Sequence, residues 1–478
     1  MLPRGAPVTV GAVRSRSLLT LLAPLALMGL AGCSSCANKT REASPPADAS
    51  AEVRAAAAEA PVPFIHDDYP AALAEARKRG VPLFIDFWAP WCHTCRHMNA
   101  NVFPDPGLSR QGEHYVFLSV DTEKPQNAEV VKQFPVQVWP TLLVIDPREE
   151  TAVLKWLGSA DLDQLNALLD DARLAMKGGE EGHSALLARA DRLAAQGEPG
   201  AAAAVLAQLL EEVPRDWPRR SRAVESRLMV LALGGAANPE ACARLALDEL
   251  AQLPKTSSWA RIASWGLGCA LEVEGKQDFT TEVTAPLEAR VKEALAPSAI
   301  EMAGDDRSGL YMVHFLARQQ AGDSEGAQQV GKAWGAFLEQ ARADAPTPDA
   351  RAVYDGHLTT LALELGKPEL ALEGLRQSEA ALPGDYNPPA RLALILGAMG
   401  QTDAALEANG RALQKVYGPR KVRVLNDRAS LLREADRSEE ARASAEEALA
   451  LIRSLPEGQR SRRETARAEK LLSELPAR

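Results

Sequence analysis

The chain has 478 residues, 46% of them hydrophobic, and a formal net charge of −10. That length suits two to four domains, and an acidic balance with no basic stripe excludes a nucleic-acid footprint. Six cysteines are too few to make a disulfide scaffold of a chain this size.

The first 32 residues read as a targeting segment. Arg4, Arg14 and Arg16 give a positive start, residues 18–30 are apolar but short for a membrane span, and Leu30-Ala31-Gly32-Cys33 closes the run. This ending resembles the lipobox of bacterial lipoproteins. The resemblance implies that residues 1–32 are removed and that Cys33 becomes the lipidated first residue. It also implies a lipid anchor in the cell envelope, facing the periplasm. Residues 33–62 are rich in Ala, Ser, Pro and Glu and read as a disordered spacer, with Cys36 as a spare thiol.

From residue 63 to 177 strands and helices alternate. A helix is expected over 70–79, a strand over 82–87, the helix that follows ending near 101, and a strand over 115–121. A short helix over 127–134, strands over 142–145 and 153–157, and an amphipathic helix over 161–177 complete an α/β unit with a central mixed sheet. Asp161 is a candidate N-cap for the last helix.

The chemistry concentrates in Ile85-Asp86-Phe87-Trp88-Ala89-Pro90-Trp91-Cys92-His93-Thr94-Cys95. Two cysteines three positions apart at a helix start lie on one face, close enough to pair. Cys92 at the N-terminus meets unpaired amides and the positive end of the dipole, which lower a thiol pKa to somewhere between ~3.5 and ~7.5 in such motifs. Cys92 is therefore the expected nucleophile and Cys95 the resolving thiol. Asp86 is a carboxylate in an otherwise apolar strand, an arrangement that is costly without a task; proton exchange with Cys95 is the task assigned to it. His93, when cationic, would favour the neighbouring thiolate and so modulate the redox poise. Exchange between two thiols and a disulfide needs neither a metal nor an organic cofactor, so none is expected.

These residues resemble the thioredoxin family, and in particular the C-terminal domain of transmembrane thiol-disulfide interchange proteins. The likeness rests on Asp86-Phe87-Trp88-Ala89, on Trp91-Cys92-x-x-Cys95, on Trp139-Pro140-Thr141 before an apolar strand, and on Gly158 before the last helix. It implies that Pro140 is cis and faces the cysteines. It further implies a substrate groove formed by Trp91, Trp139 and Pro140. Electrons would come from a membrane partner, and the substrates would be protein disulfides or thiols. His93-Thr94 and the bulky Trp139 depart from the family pattern.

Beyond a glycine-rich hinge at 178–182, residues 183–478 read as helices rich in Ala, Leu, Glu and Arg. A turn of Gly plus a polar residue recurs at Gly197-Glu198, Gly322-Asp323, Gly366-Lys367 and Gly400-Gln401, with a degenerate copy at Asp436-Arg437. The last four lie near the ~34-residue period of tetratricopeptide repeats, which this half resembles; that resemblance implies a protein partner on its concave face. Cys242 and Cys269 are either a structural pair or two buried thiols. His183, His314 and His357 read as surface or core residues, and Asp121 and Lys124 belong to no constellation. The chain is thus expected to be a membrane-anchored envelope thiol-disulfide oxidoreductase with a helical tail. The alternative is an assembly or chaperone-like adaptor working through its helices.

Overall fold

The computed structural model describes residues 62–178, 181–233, 238–273, 277–297 and 300–476. The leader, Cys33, Cys36 and the spacer lie outside the described residues. The described residues form one compact unit.

The sheet has five strands in the order β1-β3-β2-β4-β5. They are β1 Phe64–His66, β2 Leu83–Trp88, β3 Val116–Asp121, β4 Thr141–Asp146 and β5 Thr151–Leu157. β2 runs parallel to β3 and antiparallel to β4, so it is central. Its sequence Leu-Phe-Ile-Asp-Phe-Trp is nearly all apolar because both of its faces are covered. Phe84 faces Phe117, Leu142 and Trp156, together with Met98 from the helix after the cysteines and Leu165 and Leu168 of the last helix. Ile85 and Phe87 face the other way, onto Leu73 and Val131. Strand alternation puts Asp86 on the same face as Phe84, the face that carries the cysteine helix.

Helix α1, Tyr69–Arg79, is capped by Asp68, whose side chain accepts from the Ala71 amide at 3.0 Å. Helix α2, His93–His97, runs on as a π-turn over Met98–Val102. Helix α3 is Ala128–Gln133, and α4, Leu162–Met176, is capped by Asp161 through the Gln164 amide at 2.9 Å. The expected elements are all present within a few residues. The short parallel edge strand β1 was not expected.

The remaining described residues are helical, mostly in antiparallel pairs. The pairs Gly182–Ala195 with Pro199–Glu212, Gly304–Gln320 with Ser324–Asp344, and Asp355–Glu364 with Glu369–Ala381 lead to Asn387–Ala398 with Thr402–Leu413 and Gly418–Glu434 with Ser438–Ser454. Each of these pairs turns at Gly197, Gly322, Gly366, Gly400 or Asp436, all with positive φ. The recurrent turn in the sequence is therefore a left-handed helix stop.

Cys242 and Cys269 form a disulfide between helices Pro239–Leu250 and Ser257–Leu271, with Cα atoms 6.0 Å apart. It lies in a large apolar cluster with Trp259, Leu267 and Leu287.

The helices do not trail from the sheet; they are packed onto it. Arg261 bonds Asp161 at 3.1 Å, Gln164 at 3.0 Å, Glu225 at 3.1 Å and Asp306 at 3.3 Å, joining α4 to three helices of the second half. Met229 adds an apolar contact to the sheet core.

Candidate active site

Cys92 is the N-cap of α2, where its Sγ accepts from the Cys95 amide at 2.9 Å. The two cysteines are joined as a disulfide with Cα atoms 5.3 Å apart. Cys92 is 4% exposed and Cys95 fully buried, and both pack with Ala89 against half-buried Trp88, Trp91 and Trp139. The expected order of accessibility holds, but the outer sulfur is more enclosed than its role as a nucleophile suggested.

Asp86 is 1% exposed and neither carboxyl oxygen has a hydrogen-bond partner among the described residues. Burial alone pushes its pKa up to about 8. Such a carboxyl is poised to hold or release a proton near neutral pH. The peptide bond between Trp139 and Pro140 is cis, as the resemblance implied. Trp139 Nε1 donates to Thr122 Oγ1 at 2.8 Å, and its ring meets Trp91 edge-on at 5.1 Å.

The residues that sequence reasoning missed come from the helical half. Asp305 Oδ1 lies 2.7 Å from His93 Nδ1 and 2.8 Å from His357 Nε2. Burial opposes the charge of His93, but the Asp305 carboxylate more than offsets this and raises its pKa. Burial likewise opposes the charge of Asp305, and the two imidazoles overcome it, holding the carboxyl well below its usual range. His357, buried and beside the cationic His93, is lowered. The reading of His357 as a core residue stands, yet through Asp305 and a ring contact it is linked to His93 of the redox motif.

Around the motif the helical half also takes up backbone groups. Arg96 pairs with Asp385, Asn387 Nδ2 donates to the Pro90 carbonyl at 3.0 Å, and Arg391 to the Trp91 carbonyl at 3.4 Å. Trp91 Nε1 donates to Glu123 at 3.0 Å; Glu123 also accepts the Arg420 amide at 2.7 Å, and the Arg420 guanidinium lies 5.1 Å from the Trp91 ring. Burial pushes Glu123 up and Arg420 down to about 10. Tyr417 donates to Asp121, which also accepts the Glu123 amide, and Gln459 donates to the Thr122 carbonyl at 2.9 Å. Lys124 pairs with Asp67 at 2.5 Å. Asp121 and Lys124 thus do belong to a constellation, one assembled across some three hundred residues of sequence. Gly418 permits the approach: its φ is +56°, and a Cβ there would fall 2.0 Å from the Glu123 carbonyl oxygen.

Residues 65–147 match the thioredoxin-like family model. The chain is 32% identical over 92 residues to the thiol:disulfide interchange protein DsbD 2 of Pseudomonas aeruginosa, covering 19% of this chain and 16% of that one. It is 30% identical over 103 residues to DsbD of Klebsiella pneumoniae, covering 21% and 17%, and 38% identical over 64 residues to thioredoxin 1 of a Nostoc species, covering 13% and 56%. The chain thus spans less than a fifth of the interchange proteins it matches. A tetratricopeptide repeat protein of Parabacteroides merdae superposes with a TM-score of 0.40 at 12% identity, over 61% of this chain and 97% of its own.

Proposed function

We propose, for a chain that carries a thioredoxin-like domain joined to an all-helical, tetratricopeptide-like body, that it is a thiol-disulfide oxidoreductase working as a disulfide reductase or isomerase on envelope proteins. The observation that carries this is Cys92 at the amide end of α2, bonded to Cys95, with an unpartnered Asp86 on the sheet face beneath.

In the reduced form the Cys92 thiolate attacks one sulfur of a substrate disulfide. That bond breaks, a mixed disulfide forms, and the released substrate sulfur takes up a proton. Asp86 accepts the proton of Cys95, whose thiolate attacks Cys92 Sγ and frees the second substrate thiol. Two electrons pass to the substrate and the Cys92–Cys95 disulfide remains. A dithiol protein resets it; by likeness to the interchange proteins that donor sits in the membrane. Cys33 as a lipid anchor places the enzyme on an envelope membrane. Trp91, Trp139 and Pro140 wall the approach, and the helical body narrows it, so the substrate presents its cysteine on an extended segment.

The 4% exposure of Cys92 favours a second reading, an adaptor that binds proteins through its helices and turns over slowly. Insulin reduction by the full chain, compared with Cys92→Ala, separates the two. Activity lost in the variant supports the enzyme; activity equal in both, or absent from both while partner binding persists, supports the adaptor.

A further inference from the structure

We propose that His93, Asp305 and His357 form a binding site for a single divalent transition-metal ion of the zinc class, joining the redox motif to the helical body. The donor atoms, one from each side chain, lie within 4.8 Å of one another. Both imidazole nitrogens converge on the same carboxylate oxygen, at 2.7 and 2.8 Å. The ring centroids are 4.2 Å apart and the ring planes are inclined at 60°. Metal–ligand bonds of about 2.0–2.1 Å fit between these three groups if the donors separate by roughly half an ångström.

The donor chemistry selects the ion. Two imidazoles and one carboxylate suit zinc, cobalt, nickel or copper; calcium and magnesium take oxygen ligands. Two ligands are placed in advance by other contacts. Asp305 lies in the first turn of helix Gly304–Gln320, whose start is held by the Arg261–Asp306 pair at 3.3 Å. His357 belongs to helix Asp355–Glu364, where Asp355 is held by Arg342 and by Ser378 at 3.0 Å. The third, His93, rides on the first turn of α2 and keeps 39% of its side chain exposed. That side offers entry for the ion and room for water in a fourth position. No metal was expected from the C-x-x-C spacing, because these ligands come from three distant parts of the sequence.

The proposal does not depend on turnover, so zinc binding is measured directly on the full chain with both disulfides oxidised, which removes the active-site thiols as ligands. Wild type is expected to retain one equivalent of zinc through equilibrium dialysis that His93→Ala and Asp305→Asn lose, with affinity falling at least about tenfold, the lower range seen for disturbed metal sites. The same equivalent of cobalt is expected to give visible ligand-field absorption in wild type and not in these variants. His314→Ala, a histidine paired with Glu288 away from the cluster, is expected to retain it. Because His93 is partly exposed, its truncation opens no buried cavity and decides the matter even if a buried-site variant fails to fold. Zinc and cobalt not retained by wild type, or retained equally by wild type, His93→Ala and Asp305→Asn, would reduce the cluster to a hydrogen-bonded clasp and overturn the proposal.

Discussion

The described residues hold two disulfides in opposite surroundings. Cys92–Cys95 spans three positions at a helix N-terminus, after a strand that holds Asp86 with its unsatisfied carboxyl and next to His93 with its charged partner. Cys242–Cys269 spans 27 positions between two helices, within an apolar cluster. The first closes too short a loop to restrain the unfolded chain much, and although it packs against Ala89 and three tryptophans, the strand and turn that carry it bring two groups that hold protons, Asp86 and His93. The second closes a long loop, and its neighbours only exclude water. The comparison separates a bond built to be exchanged from one built to stay.

The sharpest way to break this comparison is to remove one bond at a time. Cys92→Ala is expected to lower disulfide-exchange turnover at least about a thousandfold, as loss of a nucleophile does elsewhere, and to leave the melting temperature close to that of wild type; an insulin-turbidity assay beside thermal melting checks both. Asp86→Asn tests whether the first site's unpartnered carboxyl behaves as its burial requires. The folded pKa is about 8 against 3.8 for the ordinary group. The folded state therefore binds more protons across that window, and wild-type stability falls as pH rises through it. The variant carries no such penalty. Its stability relative to wild type is expected to grow by up to about 1.4 kcal/mol per pH unit between roughly pH 4 and pH 8, and to be flat below. Denaturant melts across pH read this out, and parallel curves would remove the buried acid from the account. Replacing both Cys242 and Cys269 by Ser is expected to cost about 3 kcal/mol of stability through loop-closure entropy while exchange activity on insulin persists. Loss of activity with unchanged stability would reverse the roles of the two bonds. Gly418→Ala is expected to have the smallest effect, about 1–3 kcal/mol, from a strained φ and a clash with the Glu123 carbonyl. Its marker is a change in tryptophan fluorescence as Trp91 is freed from Glu123; unaltered emission would show that the helical body does not hold that ring.

Much of the first site was legible in the sequence because its signals are local. A strand that is apolar except for Asp86, a C-x-x-C at a helix start, and a Trp-Pro-Thr before a strand each impose their geometry within a few residues. The helix stops were legible for the same reason, since Gly322, Gly366 and Gly400 must adopt positive φ. The pairing of Cys242 with Cys269 was left open because helix positions do not fix the distance between two helices. Asp305 and His357 gave no signal at all. Their meeting with His93 depends on how the helical body docks, and that docking uses polar side chains on backbone carbonyls, as Asn387 and Gln459 do. Such contacts leave no hydrophobic period to read. β1 was missed because three edge residues are too few for an alternation to register.

A graded reduction of the oxidised chain, with freed thiols alkylated at a series of pH values and located by mass spectrometry, tests the central contrast most directly. The expected result is that Cys92–Cys95 opens first and alone, and that Cys92 then alkylates with a pKa below about 7.5, well under that of a free thiol. Both disulfides opening together, or Cys92 alkylating no more readily than an ordinary cysteine, would contradict it.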